Sequence, residues 1–297
     1  MWRFGLRQAG RLALGLLGAI ILAALVSALS DAGRAHGSRY AGAVLAHLLS
    51  MGRFNFGTSA ISDVPAWTEL SRRLPATLEL LGFGALIAVV IGAPVGLLLS
   101  ARGLRAGAPL IQIVAAAPVF CAGLGLLWVS ERVLHWTGAA PNTSLLAALQ
   151  SGNPEMVTAA LRVVALPALT VGAAGAASIQ LTLRRAISQA TGEPYRRGLQ
   201  AMGLGRFEID RVYLVPQVLA GLLHSLGEVA SSLLAATAVA EWVFAWPGAA
   251  NLFLKSVALH DWSVVGLVLL AFAAITMTAE FLGVMGARLL AETERAT

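Results

Sequence analysis

Three glutamates inside or beside apolar runs are the side chains of this sequence most able to bind a cation at bilayer depth. They are Glu228 in the middle of the run 216–240, Glu280 near the end of the run 262–287, and Glu79 just before the run 80–101. A carboxylate in an apolar run is costly and usually faces a protein interior or an aqueous path. Each glutamate is therefore a candidate pathway residue, and the alternative for each is a structural bond between helices.

Other residue types that support catalysis or metal binding are sparse. The five histidines contain no i, i+4 pair and Cys121 is the single cysteine, so the pattern predicts neither a metal site nor a disulfide within the chain. Lys255, the single lysine, belongs to no glycine-rich phosphate loop, so a Walker A motif is missing. We expect no catalytic site, cofactor or metal in this chain. Work driven by ATP would require another subunit.

The composition indicates that the apolar runs belong to a membrane protein. Of the 297 residues, 58% are hydrophobic and 12% are charged, and the mean hydropathy is +0.77, whereas a soluble domain has about 25% charged residues. The net charge of +6 comes mostly from arginines spread over short segments between the apolar runs. This spread is typical of membrane topology rather than of nucleic acid binding. We predict a multi-pass protein in a lipid bilayer, with no nucleic acid partner.

Six apolar stretches are long enough to cross the hydrocarbon core as α-helices, since a span needs about 20 residues. The predicted spans are about 12–30, 80–101, 106–130, 160–183, 216–240 and 262–287. Small residues at 172–178 in the fourth span predict a surface for close helix approach. We therefore expect residues 1–297 to form a single all-α membrane domain with six transmembrane helices.

The distribution of basic residues predicts the orientation of these spans. With the N-terminus placed in the cytoplasm, thirteen of the 21 Lys and Arg residues fall on the cytoplasmic side and eight on the outer side, which follows the positive-inside rule. Both termini and the 184–215 loop are then cytoplasmic, and the loop 31–74 faces outward. Apolar residues at helical spacing between Tyr40 and Gly52 predict a surface helix in that outer loop.

The 184–215 loop has the pattern of two short helices separated by a glycine turn. Glu193-Pro194 is a helix start, and Gly203 and Gly205 interrupt the helix that follows before a second short helix reaches Pro216. The first of these helices is amphipathic. It can lie at the membrane surface or dock into a groove of a soluble partner, and composition does not distinguish the two.

The spacing in this loop resembles the permease loop signature of ABC importers. Gly203 is followed at +13 by Pro216, with Tyr213-Leu214-Val215 before that proline. Tyr195-Arg196-Arg197 with Ala201-Met202-Gly203-Leu204 resembles the version found in dipeptide, oligopeptide and nickel import permeases, with Met202 in place of the usual lysine.

Further landmarks in the same order extend the resemblance over about residues 53–290. Downstream they are Glu241–Gly248 (EWVFAWPG) and His260–Val265 (HDWSVV), and upstream they are Phe56–Ser59 (FGTS) and Arg73–Leu80 (RLPATLEL). The upstream pair is similar to the first of the two permeases in such systems. The family's proline-glycine-aspartate segment after span one is absent, and Ser30-Asp31-Ala32-Gly33 stands there.

The resemblance implies a type I ABC importer permease fold and a subunit of an ATP-driven importer in the bacterial inner membrane. Its partners would be a second homologous permease, two ATPase subunits that bind the ATP and magnesium, and an extracytoplasmic substrate-binding protein. The outer helix near residues 40–52 would then either lie on the membrane or touch that binding protein.

The resemblance also implies two sets of site residues. The first set would couple the permease to the ATPase and comprises Tyr195, Arg196, Arg197, Ala201, Met202, Gly203, Leu204 and Arg206. The second would form an outer gate segment and comprises Glu241, Phe244, Trp246, Pro247, Gly248 and Asp261. The alternatives are that the arginines follow only the positive-inside rule and that Gly203 only ends a helix.

The resemblance favours small peptides as substrate, and leaves open nickel or other metal chelates, opines and glutathione. Two other classes of protein are alternatives to an importer subunit. A passive channel or structural membrane subunit would lack partner ATPases. An intramembrane enzyme would require a nucleophile with its base, paired carboxylates or a metal cluster at bilayer depth, and the residues above supply none of these.

Overall fold

The computed structural model describes residues 2–29, 38–100, 118–134, 145–190, 198, 200–203, 205 and 208–296. Within these ranges the chain is almost entirely helical, and the exception is an isolated antiparallel bridge between Thr58 and Pro65. The α-helices, numbered here in chain order, are α1 (Trp2–Ser27), α2 (Ser38–Met51), α3 (Ala66–Ser100), α4 (Val119–Val129), α5 (Leu145–Ser151), α6 (Pro154–Ala190), α7 (Val215–His224), α8 (Leu226–Val243), α9 (Ala249–Ala258) and α10 (Trp262–Ala296). Two short π-helices occupy Ser130–Leu134 and Ile209–Leu214.

The predicted all-α membrane fold is confirmed. Five of the described helices, α1, α3, α6, α8 and α10, are long and apolar enough to cross a membrane. The predicted span 106–130 is described from residue 118 onward, where α4 supplies 11 residues. The helices extend beyond the predicted spans because apolar runs mark the membrane core and a helix continues through its polar flanks.

The predicted span 216–240 is interrupted at Ser225, which separates α7 from α8. Ser225 has φ −93° and ψ 6°, far from the α-helical values of about −63° and −42°. Its hydroxyl donates a hydrogen bond to the carbonyl of Gly221 at 3.1 Å. Serine side chains that bond back to the preceding turn often bend helices.

The most extensive contact in the bundle joins α3 to α6, which run parallel. Small residues allow the close approach, as predicted for the stretch 172–178. A Cβ on Gly92 would lie 2.8 Å from the Cα of Ala176, so a larger residue at Gly92 would push the helices apart. Leu80, Val171 and Leu233 are buried in the apolar core formed where α8 joins this pair.

Helix α8 runs antiparallel to α6, and two polar contacts fix their register. The Ser178 hydroxyl donates to the Ser232 hydroxyl at 2.7 Å, and Arg185 lies 3.7 Å from Glu228. The end of the bundle that carries Arg185 and the start of α8 is called the loop end here. The opposite end carries residues 241–261 and is called the gate end.

The two chain termini lie at the loop end, because α1 and α10 are antiparallel. Gly15 approaches the side chain of Met277, and Gly266 approaches Ser27 near the end of α1. Beyond the Gly15–Met277 contact, α1 leads back to Trp2 and α10 leads on to Ala296. The termini and the 184–215 loop therefore share one side of the bundle.

The helix predicted between Tyr40 and Gly52 is present as α2. Met51 and Leu48 pack against Ala23 and Ala24 near the end of α1. This contact holds α2 against the gate end of α1.

Candidate functional site

The gate segment is organised around Glu241, a fully buried carboxylate in the last turn of α8. One carboxylate oxygen accepts a hydrogen bond from the hydroxyl of Thr77 at 2.6 Å. The other accepts from the backbone N–H of Asn251 at 2.8 Å. These bonds connect the C-terminal end of α8 to α3 and to the first turn of α9.

Thr77 completes this network and also caps α9. Its hydroxyl oxygen accepts the backbone N–H of Ala249 at 2.7 Å while its proton goes to Glu241. The first N–H groups of a helix have no partner within the helix and favour nearby negative charge. The carboxylate of Glu241 and the hydroxyl of Thr77 accept hydrogen bonds from N–H groups in the first turn of α9, which have no partner within the helix.

The turn between α8 and α9 fits closely around this network. Trp246 is 2% exposed, and its indole N–H donates to the carbonyl of Ala76 at 3.0 Å. A Cβ on Gly248 would collide with the carboxylate of Glu241, so glycine is required there. Phe244 packs against the main apolar core. The structure therefore brings the predicted gate residues Glu241, Phe244, Trp246 and Gly248 together with the intervening Pro247.

Asp261, the sixth predicted gate residue, holds the other end of α9. It is 1% exposed, and it accepts a hydrogen bond from the hydroxyl of Ser59 at 2.5 Å. Its second oxygen lies 3.5 Å from the N–H of Val264 in the first turn of α10. Asp261 thereby ties the start of α10 to the segment before α3.

Glu79 has a structural contact of the same kind. It is 6% exposed, and its carboxylate accepts the backbone N–H of Leu145, the first residue of α5, at 2.6 Å. This contact supports the structural alternative for Glu79 over the pathway role. Glu79, Glu241 and Asp261 thus each meet a backbone N–H in the first turn of a helix.

Thr77 and Ser59 carry these contacts, and sequence reasoning named them only as parts of larger landmarks. Each is the hydroxyl partner of a buried carboxylate that lies more than 160 positions away along the chain. The sequence contained one signal for these pairs. Each upstream landmark, 56–59 and 73–80, contains a hydroxyl residue, and each downstream landmark, 241–248 and 260–265, contains an acidic residue.

Glu228 lies at the loop end rather than in the middle of a span. The break at Ser225 places it in the first turn of α8, where its side chain is 64% exposed and pairs with Arg185. Glu280 is also exposed, and its Cβ lies against Gly227. The three predicted pathway glutamates therefore do not form one group, because Glu79 is buried against α5.

The 184–215 loop is described in part. The structure describes Ala201, Met202 and Gly203, while the other predicted coupling residues lie outside the described residues: Tyr195, Arg196, Arg197, Leu204 and Arg206. Gly203 has φ +85°, and its N–H donates to the carbonyl of Gln200 at 3.0 Å. Met202 is 78% exposed. The predicted glycine turn is present, and the π-helix Ile209–Leu214 then leads into α7.

Comparison with known proteins places this arrangement in context. Residues 81–291 match the family described as "Binding-protein-dependent transport system inner membrane component". This match includes the 184–215 loop and the gate segment.

Three relatives from Escherichia coli K12 illustrate the similarity. The "Probable D,D-dipeptide transport system permease protein DdpB" is 32% identical over 229 residues, which is 71% of this chain and 67% of that protein. The "Putrescine export system permease protein SapB" is 28% identical and covers 71% of this chain and 72% of that protein. The "Dipeptide transport system permease protein DppB" is 27% identical and covers 71% and 68%.

Proposed function

Because the chain belongs to the family of binding-protein-dependent transport system inner membrane components, we propose that it forms one half of the pathway of an ATP-driven importer. It is a multi-pass permease subunit of the peptide-transport type, and it works together with other subunits. The observation that carries this proposal is the match over residues 81–291.

Small peptides are the proposed substrate. The names of the DdpB and DppB relatives support this class, since both refer to dipeptide transport. The SapB relative favours one other candidate, a polyamine, because its name refers to putrescine export. Metal chelates, opines and glutathione remain the alternatives from the family resemblance.

In the proposed mechanism, this chain performs no chemistry and binds no nucleotide. A second homologous permease completes the pathway, an external binding protein delivers substrate, and two ATPase subunits bind the ATP and magnesium. The 184–215 loop docks on an ATPase subunit and transmits its closure to the spans. Binding of ATP favours one conformation of the pathway and substrate release follows from the other, so the work comes from differential binding energy.

The gate segment acts as a rigid block in this mechanism. Its N-terminal side is fixed to α3 through Glu241 and Thr77, and its C-terminal side is fixed through Asp261 and Ser59. Buried, fully paired polar networks of this kind rigidify the structure around them. We therefore expect α9 to move together with α3 and α8 when the pathway opens.

Reconstitution of the complete transporter tests the function. The chain, its second permease and its two ATPase subunits are placed in proteoliposomes with the binding protein and labelled dipeptides. We expect uptake that requires ATP, the binding protein and this chain together. Putrescine and nickel serve as competitors, and preferential transport of either would replace the peptide assignment. Peptide accumulation without ATP would indicate a passive channel instead.

The proposed orientation is tested by cysteine labelling in intact cells, in a Cys121→Ser background. Ser62 and Ser188 are exposed, whereas Ser59 is buried against Asp261 and is unsuitable. We expect an impermeant maleimide to label Ser62→Cys from outside and Ser188→Cys only after permeabilisation. Labelling of Ser188→Cys in intact cells would reverse the orientation.

A role of Glu228 in the pathway is tested by neutral substitutions. Because the pair with Arg185 is exposed, it contributes only about 0.2–1 kcal/mol to stability. We expect Glu228→Gln and Glu228→Leu to assemble normally. A pathway role, in which the carboxylate meets a cationic group of the substrate, requires uptake to fall in both while basal ATP hydrolysis persists. Normal uptake by both variants would contradict a role of Glu228 in the pathway. The Arg185→Gln variant is the control, because it removes the ion pair and keeps the carboxylate.

A further inference from the structure

Helices α7 and α8 meet at Ser225, where the helical hydrogen bonds are disturbed. The N–H of Ser225 is shared between the carbonyls of Gly221 at 3.2 Å and Leu222 at 3.1 Å. Its φ and ψ values depart from those of a helix, and glycines stand four residues before it and two residues after it. Ser225 is therefore the point between α7 and α8 where the backbone departs from helical geometry, while the N–H of Val229 still bonds to the carbonyl of Ser225 at 3.0 Å.

On the gate side of Ser225, polar bonds fix α8 to its neighbours. Ser232 is bonded to Ser178 of α6, and Glu241 is bonded to Thr77 of α3. Movement of α8 against α6 or α3 would break these bonds, and the buried Glu241 would lose its partners. Helix α8 therefore belongs to one rigid unit with α3 and α6.

On the loop side of Ser225, α7 meets its neighbours through apolar side chains, glycines and backbone, and Val218 packs with Leu183 and Ala186 of α6. A Cβ on Gly221 would lie 2.9 Å from the Cβ of Ala186 in α6, and Gly283 of α10 packs against the carbonyl of Leu223. Among the residues that the structure describes, no hydrogen bond or ion pair joins a side chain of α7 to another helix. Because these contacts are apolar, α7 can shift without loss of a polar interaction between side chains.

The other end of α7 is irregular as well. The π-helix Ile209–Leu214 immediately precedes it, and π-helices are rare, short and frequently found at functional sites. Beyond this lies the turn at Gly203. Helix α7 is thus a ten-residue rod between two deformable points, one toward the 184–215 loop and one toward the rigid unit.

We infer that α7 is a lever that pivots at Ser225 against α6 and α10 and carries the movement of the 184–215 loop to the pathway. Helix α8 stays fixed to α3 and α6 during this movement. The inference rests on the proposed function, since it assigns the moving part of that same coupling route. It differs from a scheme in which span five moves as one continuous helix.

Two cysteine pairs test the lever, and each pair has one cysteine on α6. Both are made in a transporter that lacks Cys121 (Cys121→Ser). The test pair is Ala186→Cys with Gly221→Cys, which joins α6 to α7 below the break. The Cβ separation of 2.9 Å is within about 1 Å of the 3.5–4.5 Å that a disulfide adopts. We expect oxidation to lower ATP-driven uptake by about tenfold or more, and to abolish the stimulation of ATP hydrolysis by loaded binding protein, because coupling between sites is reciprocal.

The matched control pair is Ser178→Cys with Ser232→Cys, which joins α6 to α8 above the break. Because the two hydroxyl oxygens are 2.7 Å apart, the side chains at these positions already face each other, as a disulfide requires. We expect uptake to be unchanged by oxidation of this pair. Each protein is assayed again after reduction, so the reduced form of the same sample is its own baseline.

Several outcomes would overturn the lever. Normal uptake with the 186–221 disulfide formed would show that α7 does not move against α6. Inhibition by both disulfides would show that span five moves as one helix, and failure of the 186–221 disulfide to form would contradict the packing. If the reduced 186–221 variant does not assemble, Leu183→Cys with Val218→Cys replaces it, since these residues pack in the same α6–α7 cluster. Loss of uptake in the reduced wild type would instead refute the proposed function.

Discussion

Replacement of Glu241 by leucine is expected to remove most of the folded permease from the membrane. The substitution leaves the buried Thr77 hydroxyl and the partly buried Asn251 N–H without their acceptor. Each such group costs about 1–3 kcal/mol, so the sum is a large part of a stability of about 5–15 kcal/mol. We expect the amount of monodisperse protein in detergent to fall by on the order of tenfold, as measured by fluorescence-detected gel filtration.

Two variants separate this effect from a general intolerance of substitutions. Glu241→Gln keeps one acceptor oxygen, and we expect a milder loss near the worth of one hydrogen bond, about 0.5–1.5 kcal/mol. Glu280→Leu makes the same change at an exposed glutamate on α10, and we expect normal assembly. A Glu241→Leu protein with wild-type abundance and melting temperature would contradict the role of Glu241 as the centre of the gate segment.

Replacement of Gly203 by valine is expected to lower coupled transport several-fold to about 30-fold while the protein remains in the membrane. Gly203 has φ +85°, and none of the described residues lies within 4 Å of a Cβ built on it, so the expected effect arises from the backbone. A left-handed conformation costs residues with a Cβ about 1–2 kcal/mol, and a β-branched residue is worse. The turn would therefore be several-fold to about 30-fold less populated. Measurement of uptake and ATP hydrolysis in the same proteoliposomes shows whether Gly203→Val loses coupled transport.

Substitutions at and beside the same position provide the controls. Gly203→Asn is expected to retain most of the transport activity, because asparagine tolerates positive φ. Gly205→Val is expected to be mild, since Gly205 has no positive φ and no neighbour within 4 Å of a Cβ. Normal uptake by Gly203→Val at equal expression would refute a coupling role for this turn, whereas equal loss in both valine variants would point to contact with a partner instead.

Most of the membrane-spanning architecture could be predicted from sequence, because the bilayer imposes a local requirement. A span needs an uninterrupted apolar stretch of fixed length, and five described helices satisfy it. The glycine turn at Gly203 was predictable for a similar reason, since glycine adopts positive φ at no steric cost. The break at Ser225 was missed because a single serine in an apolar run leaves hydropathy almost unchanged.

The gate residues show which part of the candidate site could be predicted from the sequence. The acid, the aromatic residues and the Pro-Gly turn in Glu241–Gly248 stood out as a landmark by their order along the chain. Their partners did not, because Thr77 and Ser59 are ordinary hydroxyl residues at large sequence separation. For Glu228, hydropathy predicted a position deep in a span, and the helix break moved it to an exposed ion pair.

The sequence by itself determined that this protein is a helical membrane protein, because apolar length and charge distribution are properties of local segments. The order of its landmarks determined the family. Only the tertiary structure decided which carboxylates are structural and which are exposed. A carboxylate's role depends on the backbone N–H groups and hydroxyls that surround it, and packing brings those groups from helices that are distant in the chain.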